Sequence, residues 1–101
     1  MAVLIRDVFQ CKYGESEKLE ALFKQAMPWF RDAGMTGYVL MEDLSGQFFT
    51  MVTEYRAASL ADWERERDRT FADERFGPWF EEMKKVVESG RREFWHIIEE
   101  V

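Results

Sequence analysis

Residues 36–56 decide the fold: Thr36-Gly37-Tyr38-Val39-Leu40-Met41-Glu42-Asp43, then Leu44-Ser45-Gly46, then Gln47-Phe48-Phe49-Thr50-Met51-Val52-Thr53-Glu54-Tyr55-Arg56. The outer runs are rich in β-branched and aromatic residues, and the middle three favour a turn. Two strands, 36–43 and 47–56, joined by so short a connection pair as an antiparallel hairpin.

Upstream of the hairpin, Leu19, Leu22, Phe23, Ala26, Phe30 and Ala33 recur at helical spacing and form one apolar stripe. Ser16 is the expected N-cap of this helix, Gly34 its stop, and Pro28 a bend within it. Before it, residues 3–12 read as a first strand closed by Tyr13-Gly14. Downstream, Ser59 and Asp62 resemble a capping box with Asp in place of Glu. Leu60, Trp63 and Phe71 define one helical face, with the stem of Arg67 filling the gap. Phe76, Phe80, Met83 and Val87 define another, on roughly the opposite side. Both cannot meet one sheet, so the helical region should break near Ala72-Asp73, and Gly77-Pro78 supports a fresh start. Ser89-Gly90 is the expected end of that helix, and residues 92–101 the last strand.

The order is strand, helix, strand, strand, helix, strand. A single domain over residues 1–101 is expected, α+β in class. It is a ferredoxin-like βαββαβ split arrangement, a four-stranded antiparallel sheet with its helices on one face. Each strand is apolar on both sides: Val3, Ile5 and Phe9 against Leu4 and Val8; Tyr38 and Leu40 against Val39 and Met41. The third sets Phe49, Met51 and Tyr55 against Phe48 and Val52, and the fourth Phe94 and Ile98 against Trp95, Ile97 and Val101. Helices cover only one face, and an antiparallel sheet with one wet face alternates cleanly. A second copy of the chain is the simplest cover for the other face, so a homodimer is expected.

Composition narrows the function classes. The chain has 101 residues, 47% of them hydrophobic, 34% charged and 16% aromatic, enough for one modest core. Its formal net charge of −6 argues against nucleic acid, which needs a basic stripe, and against an anionic membrane surface. The apolar run at the start is interrupted by Arg6 and Asp7, too early for a signal segment or membrane span. One cysteine, Cys11, cannot form an internal disulfide, which fits a reducing cytoplasm. Neither a phosphate loop, a dinucleotide fingerprint, a serine elbow nor zinc spacing occurs, so no cofactor or metal is expected.

Three stretches carry a family resemblance: residues 5–14 (Ile5-Arg6-Asp7-Val8-Phe9 onward), Ser59-Leu60-Ala61-Asp62-Trp63-Glu64, and Arg91-Arg92-Glu93-Phe94. Through them the chain resembles the dimeric α+β barrel superfamily, and within it NIPSNAP-like and antibiotic-biosynthesis-monooxygenase-like proteins. The resemblance implies two sheets packed face to face and a pocket between sheet and helices in each protomer. It also spans cofactor-independent monooxygenases and haem-degrading enzymes. The latter place an iron-binding histidine on the second helical segment, which has none here.

The residues that could carry chemistry are few. His96, the one histidine, lies on the last strand beside Phe94 and Ile98; it is either structural or a pocket base or donor. Asp7 interrupts an apolar strand and could serve as a base if a pocket raised its pKa, or be paired and structural. Tyr38 is a third candidate donor. Trp63 opens the second helix where the superfamily's pocket lies, which makes it the best aromatic for ligand binding. Cys11 reads as a small packed residue, and the charge-alternating run 62–69 as a solvated helical face. The leading expectation is a homodimer that binds a small apolar or aromatic molecule. The alternatives are a cofactor-independent monooxygenase acting on a quinol or phenol, and a structural or interaction dimer with a filled core.

Overall fold

The computed structural model describes residues 2–100. The elements are β1 (Val3–Cys11), α1 (Ser16–Asp32), β2 (Val39–Glu42), β3 (Thr50–Ala57), α2 (Leu60–Ala72), α3 (Phe76–Val86) and β4 (Val87–His96). The four strands make one antiparallel sheet in the order β2-β3-β1-β4. This is the expected α+β split arrangement, with the second helical region divided in two. The division falls near Ala72-Asp73 as expected, although the helices do not bury the two stripes that suggested it: α2 buries Trp63, Glu66 and Thr70, and α3 buries Trp79 and Val86. Asp73 leaves the helical conformation with ψ at 130°, and its carboxylate accepts from the backbone N–H of Arg75 at 2.9 Å to start the next helix.

Helix α1 ends in a Schellman motif: Gly34 N–H donates to Arg31 O at 2.9 Å, and Met35 N–H to Phe30 O at 3.0 Å. Gly34 takes φ +108°, which L side chains avoid, and a Cβ there would come within 3.1 Å of the Glu66 side chain. At the other end the expectation fails. Ser16 is the first helical residue rather than the cap; its hydroxyl is buried, while Glu15 takes the capping position without a side-chain bond. Ser59 does cap α2, accepting from Asp62 N–H at 3.1 Å.

The hairpin pairs as expected, with Leu40 opposite Thr53 and Met41 opposite Val52, but its strands are shorter than the sequence suggests. Thr36 and Gly37 form a turn, with Gly37 at φ +68°. Residues 43–49 are loop, latched by Asp43, whose backbone N–H donates to Thr50 O while its carboxylate accepts from Thr50 N–H. Phe48 and Phe49 therefore lie outside β3.

The larger correction concerns β4. Ser89-Gly90 does not end a helix; the chain leaves α3 at Val86 and both residues lie inside the strand, opposite Gln10 and Phe9. At Gly90 a Cβ would come within 3.2 Å of Val8 O, a tight contact that glycine avoids. The register slips between Gln10, opposite Ser89, and Cys11, opposite Val87, leaving Glu88 as the extra residue of a bulge. The strand stops at His96, so Ile97 and Ile98 do not continue it, and Val101 lies outside the described residues.

The core fills the space between helices and sheet. Ile5, Met51 and Tyr55 from the sheet meet Leu19, Phe23 and Ala26 of α1, Trp63 of α2 and Trp79 of α3. Trp79 is pinned by its ring N–H, which donates to Leu22 O at 2.7 Å. Cys11 is fully buried, a small packed residue as expected, and burial pushes its thiol up from the ordinary value. The buried side of α2 is Trp63, Glu66 and Thr70, not Leu60, Trp63 and Phe71, since Leu60 and Phe71 are exposed. The opposite sheet face mixes Leu4, Val8, Val52 and the exposed Val39, Met41 and Trp95 with an ion-pair cluster in which Arg6 donates to both Glu54 and Glu93. No helix among the described residues is long and apolar enough to cross a membrane.

Candidate functional site

Between the sheet and the helices, the core opens into a cavity of about 390 Å³. Its floor is the inner sheet face, where alternation along β1 sends Ile5, Asp7 and Phe9 to one side. Phe23 and Phe30 of α1 form one wall. The break between α2 and α3 makes the mouth: it turns Phe71 towards Phe76, with ring centroids 4.8 Å apart, and Phe76 stacks on Phe80 at 5.5 Å. Phe71 and Phe80 are half exposed at this rim, an apolar lip of the kind that marks a binding groove.

Polar groups are sparse, and each has an identifiable position. Asp7 lies directly opposite Arg92 in the β1–β4 ladder. The Arg92 guanidinium donates to both carboxylate oxygens, Nε at 2.7 Å and Nη2 at 3.0 Å. This hydrogen bond to Asp7 raises the pKa of Arg92 above its ordinary value. Trp63 lies between two cations, with Arg67 at 4.8 Å and Arg92 at 5.2 Å from its ring, and Phe94 meets it edge-on at 4.8 Å. Such contacts help fix the indole plane; each guanidinium is also paired with a carboxylate, Arg92 with Asp7 and Arg67 with Asp68.

Two tyrosines complete the lining. Tyr38 precedes β2 and Tyr55 lies on β3; their rings stack at 5.7 Å. Burial pushes both phenols well above their ordinary range, with the Thr53 hydroxyl partly offsetting it at Tyr38 and the Glu66 charge adding to it at Tyr55. At neutral pH both are therefore neutral hydroxyls, suited to donating a hydrogen bond rather than to removing a proton. Behind Tyr55, on α2, Glu66 is buried within the run that reads as solvated. Desolvation pushes its carboxyl up, with Arg69, the Tyr55 hydroxyl and Arg65 partly offsetting.

Of the four residues singled out from sequence, Asp7, Tyr38 and Trp63 meet at this cavity. His96 does not. It lies opposite Val3, the next pair on that face beyond the Ile5 edge of the cavity floor, beside Ser59, Leu60 and Phe94 around a separate depression. Sequence reasoning passed over Arg92, Arg67 and Tyr55 as site residues. The signal for Arg92 was available: an acid interrupts β1 and a base interrupts β4, but only the register places them opposite each other. No signal marked Tyr55, which looks like any other aromatic strand residue.

Chemically, the arrangement can enclose an apolar or aromatic body and place a guanidinium, itself held by Asp7, nearby. The acidic group lining the cavity is Asp7, already engaged by Arg92.

No protein-family model matches the chain, and no curated protein does. Solved structures match closely in shape. A NIPSNAP family protein from Agrobacterium tumefaciens superimposes with a TM-score of 0.84 at 12% identity, covering 95% of this chain and 92% of its own. A NIPSNAP domain protein from Burkholderia xenovorans does so with 0.82 at 14% identity, covering 96% and 94%. SnoaB, a cofactor-independent oxygenase from Streptomyces nogalater, gives 0.75 at 13% identity, covering 99% and 96%. The chain thus has the ferredoxin-like α+β fold found in NIPSNAP proteins and in an oxygenase of the antibiotic-biosynthesis-monooxygenase type.

Proposed function

We propose that this protein binds a small apolar or aromatic molecule in the cavity between sheet and helices, working as a homodimer joined through the outer sheet face. One observation carries the binding reading: a cavity of about 390 Å³, the size of a small-molecule site, walled by aromatics, with a few polar groups at its floor and end. The dimer rests on Leu4, Val8, Val52, Val39, Met41 and Trp95, apolar groups on a face that no helix covers. A cytoplasmic setting fits the buried free thiol of Cys11. The test is a titration with naphthalene-class compounds followed by tryptophan fluorescence. Saturable binding at one ligand per chain is expected, and Met83→Trp, which fills the mouth, should abolish it. A chain that binds no member of such a set, in either form, is a structural or interaction dimer instead.

A second reading is a cofactor-independent monooxygenase, favoured by the fold shared with SnoaB and by Asp7 at the cavity floor. Such chemistry needs a quinol or phenol that reacts with oxygen once deprotonated, in a site that excludes water. Asp7 would be the base, after its pair with Arg92 opens to release one oxygen. Oxygen uptake with a panel of quinols, lost in Asp7→Asn, is the expected signature.

A further inference from the structure

Among the described residues three charged side chains line the cavity, and their charges do not cancel: Arg67 and Arg92 are cations, Asp7 an anion. Asp7 is taken up by Arg92, whose Nε and Nη2 donate to its two oxygens at 2.7 and 3.0 Å. Arg67 is held differently. Its partner is Asp68, the next residue along α2, reached through Nε at 3.2 Å and Nη2 at 3.1 Å. The Asp68 side chain is 68% exposed and outside the cavity lining, so water screens this pair and it binds the guanidinium weakly. The Arg67 side chain is only 33% exposed, and its guanidinium lies 4.8 Å from the centre of the Trp63 ring. That contact fixes the cation at the cavity wall, while its hydrogen bonds leave Nη1 unused. Glu66 adds no acid to the lining, and its carboxyl has the charges of Arg69 and Arg65 to oppose its own.

A ligand that fills the cavity strips water from a half-buried guanidinium in its wall. A neutral ligand leaves that lost hydration uncompensated, whereas a carboxylate replaces it with charge-assisted hydrogen bonds. We propose that Arg67 is the specificity-determining residue of the cavity, and that the ligand is an aromatic acid whose carboxylate accepts from this guanidinium at the Trp63 end. This rests on the binding reading above and narrows its ligand class. The ligand carboxylate takes the place of Asp68, whose side chain remains in solvent, and its planar oxygens match the edge of the guanidinium.

The experiment titrates two probes of one shape, 2-naphthoate and its neutral amide 2-naphthamide, at pH 7 and low salt. The expected result for the full chain is tighter binding of the acid by about tenfold. In Arg67→Met, which keeps an unbranched stem beside Trp63, that preference should vanish while 2-naphthamide binds as before, showing the cavity intact. Equal binding of the two probes by the unaltered chain, tighter binding of the amide, or a preference that survives in Arg67→Met overturns the assignment and leaves the binding reading standing. Binding of neither probe by the unaltered chain overturns both. Should Arg67→Met alone bind neither probe, Asp68→Asn decides: it removes the competing carboxylate, so 2-naphthoate should bind about threefold tighter with the amide unchanged, and no gain overturns the assignment.

Discussion

Arg92 on β4 grips both carboxylate oxygens of Asp7 on β1, at 2.7 and 3.0 Å, across a ladder in which the two residues are direct partners. Bidentate pairing of this kind combines two charge-assisted bonds with a fixed plane. The Arg92 side chain is 42% exposed and that of Asp7 16%, so solvent screens the pair and its worth is well below that of a fully buried one. Asp7→Asn should lower stability by about 1–2 kcal/mol in denaturant titration. In a double-mutant cycle with Arg92→Gln the two changes should be strongly non-additive, because each removes the same contact. Additive effects would mean that the pair contributes nothing of its own. The same substitution frees Arg92 beside Trp63, so the cavity should also gain affinity for an anionic aromatic.

His96 gives a prediction of the opposite kind. It pairs with Val3 near the start of α2, outside the cavity lining, among Ser59, Leu60 and Phe94. His96→Ala should leave affinity for a cavity ligand, read by tryptophan fluorescence, within about twofold of the unaltered chain. A loss of tenfold or more would tie that end of the sheet to the site and place the histidine in a functional role.

These two residues show how far the sequence could be read. Element order, the division of β1 into two faces (though not which of them meets the helices) and the break near Asp73 follow from local patterns of alternation, caps and the Gly77-Pro78 restart. Asp7 and Trp63 could be picked out because each breaks or opens a pattern. What failed depends on contacts between distant segments. Ser89-Gly90 looks like a helix end in isolation and becomes strand because β1 supplies its pairing partners, with glycine easing the close approach of Val8 O at position 90. Glu66 looks solvated in a run of alternating charges, and is buried because α2 turns Trp63, Glu66 and Thr70 inward together. Three- and four-residue spacing permits that rotation as readily as the one through Leu60 and Phe71; the hydrophobic count alone favours the wrong one.

The proposed dimer is open to a direct substitution. Val52 lies in the middle of the outer sheet face, between Val8 on β1 and Met41 on β2. A lysine there would bring an unpaired ammonium into an apolar contact, which a sheet-to-sheet interface does not tolerate. Native mass spectrometry of the unaltered chain should give twice the 12.1 kDa chain mass, and Val52→Lys should shift it to the single mass with an unchanged circular dichroism spectrum. A monomer before the substitution would remove the dimer and leave the outer face in water.

Glu66 makes the pH dependence of stability specific to one side chain. Its folded-state pKa is raised above the ordinary value, chiefly by burial, so the folded chain holds this proton more tightly than the unfolded chain does. The stabilising contribution is complete below the unfolded-state pKa, declines as pH rises through the folded-state pKa, and is absent once the carboxyl is ionised in both states. At neutral pH the protein therefore bears the cost of a buried, incompletely partnered carboxyl. Methionine has a similar length and no charge, and its unbranched chain respects the close approach of Gly34. Glu66→Met should raise stability by about 1–3 kcal/mol at pH 8, the scale of one unsatisfied buried polar group, with a smaller gain at pH 4. Denaturant titrations of both chains across that range read the difference directly. A gain that is the same at both ends of the range would mean that Glu66 acts through packing alone, and a loss at pH 8 would mean that Arg69 and Arg65 hold its carboxylate more firmly than burial opposes it.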